Sequence, residues 1–573
     1  MVDLIFLHAP SVYDFRERAT LWGPISDLVP STPVFDMYPI GFTTLLAYVQ
    51  QHGFQARIMN LAARMVRSAR FDPDRALANL QAPRAFGIDL HWLPHAHGAL
   101  EVARRVKQLH PRSPIIFGGY SATYFHEELI QLPYVDYILR GDSTEEALRL
   151  LLECLRSDSV PADVPNLTWK RPDGTVQVNP QTYVPDTLDH LTMDYHPLVR
   201  AVVRDRDLLN YAPFSHWLDY PIMASLTVKG CTEHCTICGG SAFAGRNLSN
   251  RHRPAYRSPE CLAEDVRRIG ALSRGPVFLL GDLRQAGMDY ARRFLRAVQG
   301  YRGPVIVEFF KPADRAYMEE FAAALPDFFV EFSPESHDPA VRRASGKPYT
   351  NAEIEETLAA CLDMGARRFD LFFMIGLSQQ SANSALATVD YCRELLQRFD
   401  DGRLALFTSP LAPFLDPGSL AYEHAEQFGY IRHALTLEDH RRLLLQPTWK
   451  HILSYETRWM DRDTIADVTY EAGFRLNRLK REFNLISAEK AAETEARIGQ
   501  ARALMREIEA LMSRFEGAAL ERALLKLKPQ IDAANTSTVC DKSELDVPVG
   551  PVPFKLLNLA RVGVRGIFPD ACA

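Results

Sequence analysis

Short apolar runs alternate with helical patterns twice along this chain, and a stretch rich in Pro and Asp separates the two series. Such alternation forces parallel sheets covered by helices, because parallel strands need long crossovers and bury both faces. In the first series, strands are expected at Leu4–His8, Gln55–Met59, Ala85–Leu90, Pro114–Phe117 and Val135–Leu139. Helices are expected over Gly41–His52, stopped by Gly53, and over Gly98–Leu109 and Glu145–Leu155. A doubly wound sheet of this Rossmann or flavodoxin-like kind takes ligands outside the carboxyl ends of its strands. The divider, residues 156–215, carries Pro161, Pro165, Pro172, Pro180 and Pro185 and reads as a linker with a hairpin.

The second series offers strands at Met223–Val228, Val277–Leu280, Val305–Phe310, Phe329–Phe332, Arg368–Met374 and Leu404–Thr408. Strand–helix units in this number suggest a full or partial (β/α)6 barrel, with its site at the strand carboxyl ends. From about residue 430 the pattern is mostly helical. Ile498, Ala501, Leu504, Ile508, Leu511 and Phe515 mark an apolar face suited to packing on the barrel or another helix, and Pro529 is expected to stop that helix. The expected division is 1–155, 156–215, 216–415 and 416–573.

A net charge of −6, with acids and bases dispersed, argues against a nucleic-acid or anionic-membrane binder. The opening Met1–His8 is too short and acidic for a signal peptide and reads as a strand. Runs such as Leu371–Ile375 fall far below the ~20 residues of a membrane span. A cytoplasmic protein is expected. Its 9 cysteines, an odd number without a secretory signal, disfavour a disulfide framework. Cys154, Cys261, Cys361, Cys392, Cys540 and Cys572 are scattered singly and read as buried or incidental thiols.

Cys231, Cys235 and Cys238 share one loop, spaced C-x3-C-x2-C, directly after the first strand of the second series. Soft thiolates select zinc or iron–sulfur. Zinc would need a fourth ligand, which His234 or His252 offers, but structural zinc sites usually present two separated pairs of ligands. A loop of this spacing can instead wrap one face of a [4Fe-4S] cubane and leave one iron without a protein ligand.

The loop, in its place after a strand, resembles the signature of radical S-adenosylmethionine (SAM) enzymes. The resemblance implies that SAM takes the open iron through its amino and carboxylate groups. The aromatic residue usual before the third cysteine is replaced here by Ile237. Gly245-Arg246 and Arg257-Ser258-Pro259-Glu260 resemble the stretch that follows the cluster loop; Arg246, Arg251, Arg253 and Arg257 read equally as a solvated basic loop. By resemblance, Gly281 and Asp282 stand where a Gly-Gly-Glu-like motif holds the SAM amino group. Glu335 and Ser336 stand where Glu and Ser approach SAM, and Gly376 lies along the adenine.

The first series resembles the cobalamin (B12)-binding domain that precedes many radical SAM domains. The resemblance rests on Tyr38-Pro39-Ile40-Gly41, Gly118-Gly119-Tyr120-Ser121-Ala122 and Gly141-Asp142. It implies cobalamin contacts from Tyr38, Pro39, Gly41, Gly118, Gly119, Ser121, Ala122, Gly141 and Asp142, with His91, His95 and His97 near the corrin edge. Many such domains carry D-x-H-x-x-G after their first strand, with the histidine below cobalt. Residues His8–Arg16 do not match it. Asp89-Leu90-His91-Trp92-Leu93-Pro94 comes close but follows the third strand and ends in Pro, so cobalamin is expected base-off without a protein histidine ligand.

Together these resemblances imply a two-SAM methyltransferase: one SAM methylates cobalamin, and another yields the 5′-deoxyadenosyl radical that activates an unreactive carbon or a phosphorus centre. Cyclisation, oxidation or carbon–carbon bond formation without net methylation is the alternative, and a non-catalytic corrinoid module with a structural metal is a third. The expected partners are a flavodoxin- or ferredoxin-type electron donor and a small molecule, apolar or aromatic if Trp449, Tyr455 and Trp459 line its pocket, although helix packing is the plainer role for these aromatics.

Overall fold

The computed structural model describes residues 2–399, 401–411, 413–535, 537–546 and 552–567; Cys572 lies outside them. The first sheet has the strands β1 (Leu4–His8), β2 (Ala56–Asn60), β3 (Ala85–Asp89), β4 (Ile115–Gly118), β5 (Tyr137–Leu139), β6 (Leu167–Lys170) and β7 (Val176–Val178). Their order is β2-β1-β3-β4-β5-β6-β7. β1 to β5 run parallel, while β6 and β7 join antiparallel. Every residue of β1 and β3 is buried, as a sheet covered on both faces requires. The hairpin of the Pro-rich stretch therefore extends this sheet instead of standing apart from it.

A long segment runs from β1 to the helix Ile40–Gln51. It lies close against the helix Ala96–Leu109: Gly98 N–H donates to the Ser11 carbonyl at 3.0 Å, and a Cβ on Gly98 would collide with the Pro10 carbonyl.

The second sheet contains β8 (Met223–Leu226), β11 (Val277–Leu280), β12 (Val305–Phe309), β13 (Phe328–Glu335), β14 (Arg368–Ile375) and β15 (Leu404–Pro410), all parallel. The short strands β9 (Val228–Lys229) and β10 (Ala255–Tyr256) pair with each other beside it. The six-stranded order β15-β14-β13-β12-β11-β8 makes β8 and β15 its edges, so the barrel is partial and open. These strands sit within a residue or two of the positions their apolar runs indicate, except that β13 runs on three residues to Glu335.

The rest is mostly helical, with one antiparallel pair, β16 (Tyr430–Arg432) and β17 (Tyr455–Thr457). The helix Ala488–Met512 buries Ile498, Ala501, Leu504 and Ile508. It ends at Met512, well before Pro529, which instead lies inside the next helix, Gly517–Ala534. Ser513–Glu516 separate the two helices, and Gly517 opens the second at φ 52°. Among the described residues no helix is long and apolar enough to cross a membrane.

The carboxyl-terminal segment returns to the amino-terminal one. Buried Asp27 accepts from the N–H groups of Thr538 and Val539 at 2.8 and 2.7 Å, and Lys542 Nζ donates to the carbonyls of Ser26 and Val29, both at 3.1 Å. Asp27→Ala orphans two buried donors, at a cost of about 2 kcal/mol. Limited proteolysis should then cut the variant, and not the parent, within residues 18–37 and 535–546 under native conditions.

Candidate active site at the barrel mouth

Gly230, at φ 81°, turns the chain from β9 into the cysteine loop. The loop is held from several sides. Thr236 N–H and Oγ1 donate to the Ser345 and Ala344 carbonyls at 3.1 Å each, and Thr232 N–H donates to Gln285 at 3.1 Å. Gly346 has no room for a Cβ beside the His234 carbonyl. The three cysteines line a cavity of about 490 Å³ at the carboxyl ends of the barrel strands.

Burial pushes the Cys231 thiol up to about 11 and the Cys238 thiol, which also faces Asp416, up to about 12; Cys235 is raised as well, by burial. Thiols of this kind ionise when a metal centre replaces their protons. Backbone N–H groups of Glu233 and Gly240 already point at Cys231 and Cys238 Sγ, at 3.3 Å each. Hydrogen bonds to sulfur of this sort tune iron–sulfur potentials. Among the described residues no group of three or more His, Cys, Asp and Glu side chains converges on a single ion. Three thiols spread along one cavity wall fit a multi-iron cluster.

Ile237, 8% exposed, lines the same cavity, as does Glu335. Glu335 holds positive φ, 67°, at a bulge in the β13–β14 register. A non-glycine residue there is strained, and such strain concentrates at functional sites. The bend places Glu335 against Lys347, 2.6 Å away, while its Oε2 is buried without a partner. Lys347 also donates to the Ser333 carbonyl and lies near Cys235. An acceptor and a cation side by side next to the cluster loop complement an α-amino carboxylate.

Of the other residues matched to SAM, Gly281, at φ 98°, donates its N–H to Glu308 Oε2 at 2.9 Å. Asp282 is spent on Arg284 (2.6 Å) and on the Phe310 N–H (3.0 Å). Ser336 is fully buried and accepts from the Asp338 N–H at 3.1 Å. Gly376, at φ 95°, donates to Gln380 at 2.9 Å and leaves no space for a Cβ beside the Tyr455 hydroxyl. None of these four is in the cavity wall, whereas Glu308 is.

Sequence patterns did not single out the acids deeper in the barrel. Glu308, Glu331 and Asp370 are register partners on β12, β13 and β14, so they form one row across three strands. Glu308 and Glu331 line the cluster cavity and, with Asp370, a second cavity of about 420 Å³ between barrel and first domain. Arg368 pairs with Asp370 at 2.7 Å, but the Glu331 side chain makes no hydrogen bond among the described residues. Burial, then Asp370 and Glu308, push its carboxyl up to about 8. Alternation along each strand (Glu308 between Val307 and Phe309, Glu331 between Val330 and Phe332) is the only sequence signal of the row.

In the first domain, a third cavity of about 450 Å³ runs between the sheet and the helices Ile40–Gln51 and Glu145–Ser157. Pro39, Gly41, His91, Gly118, Gly119, Gly141 and Asp142 line it. Gly87, lacking a side chain opposite Phe6, leaves the slot open toward mid-strand. Its length, glycine rim and apolar depth fit a corrinoid with its nucleotide tail inserted. Tyr38 and Pro39 line the adjoining 420 Å³ cavity. Ser121 and Ala122 are buried behind the rim, where the Ala122 N–H donates to the Leu90 carbonyl at 3.0 Å. His95 and His97 are buried too: His95 Nδ1 lies 3.1 Å from the Ala9 carbonyl, and His97 Nδ1 accepts from the Tyr13 N–H at 3.2 Å.

The two sites share a wall. Cys238 lines the cluster cavity and Gly240 lines the slot. Asp416 accepts from Trp92 Nε1 and from the Gly239 N–H, each at 3.0 Å, tying first domain, cluster loop and carboxyl-terminal region. Arg251 pairs with Asp142 and Lys229 with Glu145 at 2.5 Å across the same boundary. Arg251 and Arg257 are therefore buried ion-pair partners, the latter of Asp265, and not part of a solvated loop.

Comparison with known proteins agrees with this geometry. Residues 27–151 match the B12 binding domain model, and residues 225–392 match the Radical SAM superfamily model. The chain belongs to the B12-binding radical SAM family. It is 22% identical over 300 residues to a cytidylyl-2-hydroxyethylphosphonate methyltransferase from Streptomyces wedmorensis, a match covering 45% of this chain and 54% of the relative. The chain thus spans about half the length of that relative. Among solved structures, the radical SAM methyltransferase TsrM from Kitasatospora setae, with cobalamin and a [4Fe-4S] cluster bound, aligns with a TM-score of 0.56 at 15% identity, over 93% of this chain and 100% of that one. The cobalamin-dependent radical enzyme OxsB with aqua-cobalamin aligns at 0.52 and 11% identity, over 100% and 81%. At these identities the likeness is one of fold.

The raised Glu331 carboxyl sets a pH dependence. An acid raised in the folded state costs stability once ionised. The cost begins above the ordinary value of 4.5, grows to about pH 8 and is constant beyond. The melting temperature of Glu331→Gln should therefore climb above that of the parent across this window and then stay level. A constant offset at every pH would contradict the assignment.

Proposed function

We propose that this chain is a cobalamin-dependent radical SAM methyltransferase that acts on an unactivated carbon, or a phosphorus, of a small molecule. One observation carries the reading: a single loop presents Cys238 to a cluster-sized cavity and Gly240 to a corrinoid-sized slot. Cys231, Cys235 and Cys238 would hold the cluster, with Glu335 and Lys347 flanking the amino-acid end of SAM. Bound together, these cofactors supply hydrogen abstraction and methyl transfer.

The chain's own residues bind, orient and exclude water. Ile25, Leu28 and Val29 from the first domain roof the cavity, and Phe309, Phe310, Phe372 and Phe414 give it an apolar wall. The unpaired Glu331 below suits a substrate with an apolar body and a hydrogen-bond donor or cation at one end. The methyltransferase names of the phosphonate enzyme and TsrM support methyl transfer over ring formation or oxidation. An external flavodoxin- or ferredoxin-type protein would deliver the electron.

Cys235→Ala, reconstituted anaerobically with iron and sulfide, should lose 5′-deoxyadenosine production from SAM entirely while retaining corrinoid on gel filtration. Unchanged deoxyadenosine would remove the cluster assignment. With substrate in hand, a product heavier by one methylene supports methyl transfer, and a product lacking it overturns that part of the reading.

A further inference from the structure

The helix His196–Asp205 and the carboxyl-terminal helix Val552–Ile567 pack on each other, and they do so unevenly. At Gly566 a Cβ would collide with the Val199 side chain, while at Gly563, one turn earlier, a Cβ would meet nothing within 4 Å. Glycine weakens a helix interior. Close approach accounts for Gly566. No contact accounts for Gly563, whose missing side chain leaves a gap. The gap belongs to a cavity of about 90 Å³, separate from the three already described and lined by Val202, Leu208, Met223, Leu559 and Val562.

This cavity has no free polar side chain in its wall. Three side chains there carry a polar atom, and each is satisfied. The Tyr195 hydroxyl donates to the Ala224 carbonyl at 2.8 Å, Trp217 Nε1 to the Ile222 carbonyl at 2.9 Å, and the Tyr211 hydroxyl to Asp205. A buried water needs two or more polar partners, so a space of this kind stays dry and takes apolar matter.

The mouth is at Val203, which lines the cavity and is nevertheless 47% exposed. Arg200 stands one turn before it and Arg206 follows the helix end; both are exposed, and neither makes an ion pair among the described residues. The charges between and beside them are spent: Arg204 pairs with Asp205 at 2.7 Å, and Asp207 with Arg64 at 3.0 Å. The unpaired charge at this end of the helix is therefore positive. Tyr195 and Pro213 line both this cavity and the 420 Å³ cavity between the domains, so the two stand back to back.

We propose that this cavity binds the alkyl chain of a single-chain amphiphile with an anionic head, a medium-chain fatty carboxylate, with the tail between the two helices and the head at Arg200 and Arg206. The site lies outside the cluster and corrinoid cavities, so the assignment does not depend on the proposed reaction.

The test titrates the full chain, reconstituted anaerobically with iron, sulfide and hydroxocobalamin, by calorimetry with the carboxylates from hexanoate to dodecanoate below their micelle-forming concentrations. Each methylene that enters the cavity should tighten binding about fourfold, and the gain should stop once the space is filled. Tightening with every added carbon to the end of the series would indicate a non-specific apolar surface and overturn the proposal, as would binding by none of the chains. Alkylammonium ions of the same lengths should bind about fivefold more weakly, and equal affinity would overturn the anionic head. Gly563→Leu places a side chain in the gap and removes a helix-interior glycine. It should weaken the tightest carboxylate roughly tenfold, the equivalent of nearly two methylenes, without lowering the melting temperature. Unchanged affinity in that variant would overturn the site. A dimer on gel filtration that Gly563→Leu disperses would seat a second copy of the chain in the groove instead. The chain-length series is read on unmutated protein and so stands whether or not the variant folds.

Discussion

One buried carboxylate, that of Asp416, has two donors and they belong to different parts of the molecule. Trp92 reaches it from the first domain, and Gly239 reaches it from the cluster loop. Burial raises the Asp416 carboxyl, and both hydrogen bonds favour its charged form. The pair of bonds fixes where the loop stands relative to the first domain. Without that register, the cavity beside the cysteine loop and the slot of the first domain would not share the wall that Cys238 and Gly240 now form.

Charge inside the barrel is arranged with economy. Glu335 and Lys347 neutralise each other beside the cluster loop, while Arg368 answers Asp370 at the far side of the row. Neither Glu308 nor Glu331 has a cation in contact among the described residues, but Glu308 accepts from the Gly281 N–H and the Glu331 side chain accepts nothing. Raised to about 8, its carboxyl stays protonated at lower pH, which spares the interior an uncompensated charge and leaves a neutral acid facing the cavities.

The apolar runs made both sheets readable because parallel strands bury both faces and show in the sequence as near-continuous hydrophobic stretches. The cysteine loop and the glycine turns were readable because they are local. Partners distant in sequence were not: Trp92 finds Asp416 and Arg251 finds Asp142 only once the domains are folded together. Lys347 carried no motif of its own, although the Gly346 before it, pressed against the cluster loop, is the kind of residue such an approach requires. Pro529 misled because the helix Gly517–Ala534 continues through it, with Leu524, Ile531 and Ala534 buried on both sides of the hydrogen bond that proline removes.

The roof over the barrel comes from the start of the chain, and its fastening comes from near the end. Residues around Ile25–Val29 cover the cavity; Asp27 is gripped by the N–H groups of Thr538 and Val539, and Lys542 holds the carbonyls of Ser26 and Val29. During synthesis the chamber therefore stays unlatched until Thr538, 511 residues after Asp27, has left the ribosome. Bulky cofactors have the whole of that interval in which to enter from above.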